Sequence, residues 1–138
     1  VGKDKWLMQV GTLSGNPIAA AAGLKTMEVL KRDGMFAKLH QRGQEIMDCM
    51  SECFKRANIH HRIVGDSSLF DVLFINEDVN NYRNSIKADA KLNARFNQGL
   101  RKRKIFKASA KLYPSLALTD EDIYHTKEAI KDTVLNLV

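Results

Sequence analysis

The sequence has little of several things. Two prolines, two cysteines and one tryptophan stand among 138 residues. Two cysteines are too few for a disulfide framework. Cys49 and Cys53 lie four apart in a helical pattern, where neighbours on one face rarely bridge, so they read as free thiols of a reducing compartment. No second Cys/His pair is spaced to complete a four-ligand metal site with them. The longest clean apolar run is Ile18–Leu24, mostly alanine, far short of the ~20 residues that span a bilayer. The first residues carry no charged-then-apolar targeting segment. Walker-type and dinucleotide glycine fingerprints, H-E-x-x-H and G-x-S-x-G are all missing. These absences point to a cytoplasmic chain with no membrane partner.

What is present suits one folded domain. The apolar fraction is 44%, ordinary for a globular chain. A chain of this length buries roughly two-thirds of its unfolded surface. There are 22 basic and 16 acidic residues, a net charge of +6. The excess is local: Arg101, Lys102, Arg103, Lys104, Lys107 and Lys111 fall in residues 101–111 without one acid, and the remainder balances. A general nucleic-acid coat is excluded. The patch alone supports a small nucleic-acid-binding module only weakly, because Phe106 is its single aromatic. A solvated helix end, with cations complementing the helix dipole, explains it without a nucleic-acid partner.

Residues 1–15 read as loop, with Gly11, Ser14 and Gly15 close together. Asn16-Pro17 is a cap and first helical residue, and the helix should run to about Arg32, stopped by Gly34. Its small-sided stretch Ala19–Gly23 suits close approach by another surface. A second helix is expected over Met35–Ala57, where Phe36, Leu39, Gly43, Ile46, Met50, Cys53 and Ala57 recur at three and four. Met8, Met27 and the methionines of this helix read as core filler. Ile59–Val64 and Leu69–Ile75 read as a hairpin around Gly65–Ser68, the second strand covered on both sides. Asp71 is anomalous there: it must be hydrogen-bonded or sit at a wet edge.

A third helix is expected over Arg83–Arg103, with Ile86, Ala90, Asn93, Phe96 and Leu100 inward. Ile105-Phe106 and Ser115–Leu118 are short strand candidates about Tyr113-Pro114. Thr119-Asp120-Glu121-Asp122 opens a last helix with apolar face Ile123, Ala129, Ile130, Val134 and Leu137. The order predicts an α+β fold, a small antiparallel sheet with helices packed on it. His60 and His61, adjacent in a strand, should face opposite ways and share no metal. His40 and His125 read as exposed.

The segment Gln9-Val-Gly-Thr-Leu-Ser-Gly-Asn-Pro17 is a glycine-bracketed hydroxyl loop leading into a capped helix. Gly11 permits close backbone approach, Thr12 offers O–H and N–H donors, and a helix N-terminus follows, a combination suited to phosphate. An ordinary capped turn has the same ingredients. The literal string Gly-Thr-Leu-Ser-Gly-Asn-Pro before an Ala-rich helix resembles class III pyridoxal-phosphate (PLP) aminotransferases, most of all their glutamate-1-semialdehyde aminomutase branch. Ser68–Phe74 resembles that family's Gly-Ser-Met-Phe-x-x-Phe-Phe strand. Asn81-Tyr82, Lys87–Asp89, Ala94–Phe96, Gly99-Leu100, Ser115–Ala117 and Thr119–Ile123 follow its order. The likeness covers about residues 9–137.

The resemblance implies that Gly11 and Thr12 contact the cofactor phosphate held in the neighbouring subunit of a homodimer. It implies a phosphate-contact loop and connecting helix over 1–34, joined to a missing cofactor domain. Residues 35–138 would be the small C-terminal domain of a fold-type I PLP enzyme with a small amino-acid-like substrate. The family's cofactor-holding lysine lies upstream of the Gly-Thr pair, before Val1. No lysine of this chain stands at its place. The expectation is therefore the C-terminal third of an enzyme, from a truncated or cut reading frame, which alone binds no PLP, catalyses nothing and contains no catalytic residue. Two features depart from the family: Asp71 replaces a small residue, and Lys104–Leu118 is shortened and lacks a Glu-Ala-Gly element.

Overall fold

A computed structural model describes residues 11–137. The loop expected over 1–10, with Met8 and Gln9, lies outside the described residues. The chain divides into two compact units, Val1–Phe36 and Ala37–Val138.

In the first unit, α1 spans Pro17–Leu30. Asn16 caps it: its side-chain oxygen accepts from the Ile18 and Ala19 N–H groups at 3.0 and 3.3 Å. Pro17 costs nothing at the first position, where its missing N–H would have no helical partner. Gly34, at φ 77°, ends the turn after the helix in the left-handed region that glycine tolerates best. No residue of α1 is buried, and Ile18, Leu24 and Met27 are exposed.

The second unit is α+β. Helix α2 (Met35–Arg56) runs into it, followed by β1 (Arg62–Asp66), β2 (Leu69–Leu73), a single turn α3 (Tyr82–Ser85), α4 (Ala90–Lys102) and α5 (Asp120–Leu135). The strands pair antiparallel in the register Arg62↔Leu73, Val64↔Asp71 and Asp66↔Leu69. The turn is tighter than the sequence suggests. Gly65 and Asp66 belong to β1, and only Ser67-Ser68 turn. Asp66 makes this possible by accepting from the Ser68 N–H and O–H at 2.9 and 2.8 Å.

Strand β2 alternates. Phe70 and Val72 are buried, whereas Leu69, Asp71 and Leu73 face the other way and are less covered. The expectation of a strand covered on both sides is corrected here: the apolar run hides a two-residue period. The core sits where α2, the segment after β2, and α4 meet. Phe54, Phe74 and Phe96 form a triangle of edge-on rings with centroids 5.1, 5.2 and 5.8 Å apart. Ile123, Ala129, Ile130, Val134 and Leu137 of the last segment are all buried, as their spacing predicts.

The expected helix Arg83–Arg103 is broken. Asp89 leaves the helix, donates its N–H to the Phe74 carbonyl at 2.9 Å, and caps α4 by accepting from Lys91 and Leu92 N–H. Ile86, expected inward, is exposed. Neither Ile105-Phe106 nor Ser115–Leu118 forms a strand. Leu112 instead makes an isolated antiparallel bridge to Phe70. Phe106 is exposed beneath the Arg101 guanidinium, 5.8 Å from its ring centre.

Asp71 shows how a polar residue is tolerated in this sheet. It is half-buried, and its carboxylate accepts from the Val72 N–H at 2.9 Å. Burial nonetheless raises its pKa, opposed by that hydrogen bond and by the charges of Lys107 and Lys111. A carboxyl whose folded pKa is raised holds its proton more tightly when folded. Its ionisation therefore costs stability as pH rises through its range. Asp71→Asn should raise the urea midpoint at about pH 7, and the gain should vanish near pH 3, where the carboxyl is protonated. A lowered midpoint at neutral pH would contradict this account.

Candidate functional site

The Gly11–Asn16 loop is a tight turn. Ser14 donates its N–H to the Gly11 carbonyl at 2.8 Å, and Asn16 donates to the Leu13 carbonyl at 3.0 Å. Gly15 takes φ 77°. A Cβ on Gly11 would lie 2.6 Å from Ser14 Oγ, a contact that rotation of the Ser14 side chain relieves. Thr12 is exposed, and its hydroxyl makes no hydrogen bond among the described residues. The sequence suggests a helix N-terminus open to an anion, but Asn16 already occupies the Ile18 and Ala19 N–H groups. Among the described residues the N–H groups of Thr12, Leu13 and Gly15 and the hydroxyls of Thr12 and Ser14 have no hydrogen-bond partner. They suit contacts to phosphate oxygens and supply no charge of their own.

The other candidates scatter. His40 is half-buried rather than exposed. Its Nδ1 lies 2.9 Å from Ser67 Oγ and 3.3 Å from the Asp66 carboxylate, tying α2 to the hairpin turn. Asp66 is held below the usual carboxylate range chiefly by the Ser68 N–H and O–H groups. His125 is exposed, its Nε2 3.1 Å from the Arg103 carbonyl. His60 and His61 precede β1 instead of lying in it. His61 packs on Phe54 with ring centres 5.1 Å apart. Among the described residues no group of His, Cys, Asp and Glu is arranged to hold a metal. Burial pushes the Cys49 thiol up to about 11, with Cys53 adding to the shift. Cys49 is therefore a poor nucleophile near neutrality. Both cysteines are free.

The basic stretch divides into separate jobs. Arg103 donates to the Gly99 and Asp132 carbonyls at 3.2 and 3.1 Å, satisfying two helix-end acceptors. Lys107 is half-buried and donates to the Ala108 carbonyl at 2.8 Å. Burial lowers its pKa, and the Asp71 charge opposes that. Sequence reasoning missed Arg42, which is buried on α2 and reaches Asp120 at 3.1 Å in the first turn of α5. Its only signal is a charged residue directly beside the apolar stripe.

The sequence profile described as Aminotransferase class-III matches residues 3–134. The chain belongs to the class III aminotransferase family. It is 35% identical over 133 residues to a glutamate-1-semialdehyde 2,1-aminomutase from Syntrophus aciditrophicus (strain SB). That alignment covers 94% of this chain and 31% of the relative. Among solved structures, an omega-transaminase from Sphaerobacter thermophilus superposes with a TM-score of 0.79 at 23% identity, over 95% of this chain and 30% of that one. A β-phenylalanine aminotransferase from Variovorax paradoxus gives 0.75 at 23% identity, over 95% and 31%. The class III chain thus spans less than a third of the relatives it matches. These likenesses agree with the α+β fold and the hairpin. No described helix is long and apolar enough to cross a membrane.

Proposed function

We propose that the chain is the C-terminal part of a PLP-dependent, glutamate-1-semialdehyde 2,1-aminomutase-like enzyme that acts as a homodimer on a small amino-acid-like substrate in the cytoplasm. The observation that carries this reading is the 35% identity to such an aminomutase along nearly the whole chain. In this reading residues 1–34 belong to the cofactor side of the enzyme, and residues 35–138 are its small domain. Bound PLP would supply the electron sink for amino-group movement. The chain's own part is narrower. Gly11 lets the ligand approach the backbone, and Thr12 presents its hydroxyl to a phosphate oxygen of the neighbouring subunit's cofactor. The shortened Lys104–Leu118 stretch, without Glu-Ala-Gly, favours a second reading: a class III aminotransferase with a different amino substrate.

Incubated with PLP and then freed of unbound cofactor by gel filtration, residues 1–138 alone should retain no stoichiometric aldimine band and should catalyse no amino transfer. A band would refute the assignment of the cofactor-holding lysine to a position outside this chain. In the polypeptide extended upstream to the family's full length, Thr12→Ala should weaken PLP binding about tenfold, the effect of one hydrogen bond to a charged group. Unchanged affinity, read by equilibrium dialysis, would remove Thr12 from the site.

A further inference from the structure

A second place in the chain gathers cations around a cavity. Near their C-terminal ends α4 and α5 enclose a space of about 290 Å³, with Arg95, Gln98, Lys102, Arg103, Thr133 and Asn136 among its lining residues. Among the described residues no carboxylate lines it. Two of the cations are fixed by backbone carbonyls, and Arg103 also pairs with the Asp132 carboxylate. Arg95 donates to the Leu137 carbonyl at 2.9 Å, and Arg103 donates to the Gly99 and Asp132 carbonyls. Each guanidinium has five N–H donors and spends one or two of them here.

Thr133 adds an independent sign. It is 1% exposed, and its hydroxyl has no hydrogen-bond partner among the described residues. A buried hydroxyl without a partner is costly, and a ligand in the adjoining cavity would relieve it. The site exists because Gly99 lets the helices close. A Cβ there would collide with the Thr133 side chain.

Among the described residues the three cations have one ion pair with a carboxylate, Asp132, whose oxygen lies 3.7 Å from Arg103 Nε. Two helix C-termini add about −0.5 charge each. The surplus is about +1, held by preformed donors, which favours a compact anion rather than an apolar ligand.

We propose that this α4–α5 cavity is a binding site for a small phosphate group, either free phosphate or the head of a phosphate monoester. The proposal does not depend on the PLP reading. It differs from mere capping of helix ends by Arg95 and Arg103, because Lys102 lines the cavity and its side chain bonds no helix carbonyl among the described residues.

Titration of the 138-residue chain with inorganic phosphate, at constant ionic strength and followed by backbone amide NMR, should give saturable shifts around Gly99, Thr133 and Asn136. Parallel titrations with glycerol phosphate identify the source: tighter binding of the ester favours a monoester, tighter binding of phosphate favours the free ion. Lys102→Ala should weaken binding about tenfold without lowering the urea midpoint. Thr133→Val should weaken binding while holding or raising that midpoint, since it removes an unpaired buried hydroxyl. Shifts that do not saturate, or an affinity within threefold of wild type in Lys102→Ala, would overturn the proposal and leave the arginines as helix caps only.

Discussion

Phe54→Ala is expected to lower the unfolding free energy by about 4 kcal/mol. The side chain is fully buried on α2. Its ring meets Phe74 and Phe96 edge-on at 5.1 and 5.2 Å and His61 at 5.1 Å. Truncation removes both apolar burial and the ring-edge attractions. The hole would be bounded by rings from segments separately anchored: Asp89 N–H holds the Phe74 carbonyl, and Phe96 lies inside capped α4. Little collapse is open to them, which puts the cost near the upper part of the usual range. Domains of this size have about 5–15 kcal/mol in total, so the variant should be barely folded. Urea unfolding followed by far-UV circular dichroism measures it, and a loss below about 2 kcal/mol would mean that the triangle of rings is not the centre of the fold.

Elements whose ends are written locally were legible in the sequence. Thr119 and Asp122 form the reciprocal capping box that their spacing announces, with Thr119 N–H donating to Asp122 at 2.7 Å and Asp122 N–H to Thr119 Oγ1 at 3.1 Å. Asn16-Pro17 starts α1 for an equally local reason. The break before α4 was not legible, because Lys87-Ala88-Asp89-Ala90 has no strong breaker. What ends the helical pattern is a distant acceptor, the Phe74 carbonyl. The side-to-side phase of β2 was hidden for a different reason. In Leu69–Leu73 only Asp71 marks a face, and the packing of Phe70 and Val72 assigns the apolar residues to theirs.

The candidate site was legible as a string rather than as physics. Gly11 and Thr12 were marked by their resemblance to a family, whereas their chemistry alone fits any capped turn. In the structure Asn16 satisfies the helix end, and the Thr12 hydroxyl makes no hydrogen bond among the described residues. The +6 charge was visible at once, but its meaning was not. Arg103 caps, Arg101 covers Phe106, and Lys107 is half-buried near Asp71. The Arg101 contact is local, but Arg103 also reaches the Asp132 carbonyl and Lys107 senses Asp71, contacts distant in the chain that composition does not encode.

Gly43→Ala should cost about 2–3 kcal/mol, although alanine is the better helix former. The preference for alanine over glycine inside a helix is worth about 1 kcal/mol in the variant's favour. Against it stands the hairpin. A Cβ at residue 43 would fall on the Ser67 carbonyl and come within 3.3 Å of Pro114 Cγ. A flexible side chain could swing away, but the obstacle is backbone in a two-residue turn already fixed by Asp66 and Ser68. Relief would require the hairpin to slide from α2, which would also strain the 2.9 Å contact of His40 with Ser67. The clash therefore outweighs the propensity. Gly23→Ala provides the opposite sign, because nothing lies within 4 Å of a Cβ there and only the helix preference acts. Urea unfolding should show Gly43→Ala destabilised, while Gly23→Ala should hold or raise the wild-type midpoint and gain helical signal. Equal or greater stability in Gly43→Ala would show that α2 and the hairpin turn are not in the contact described.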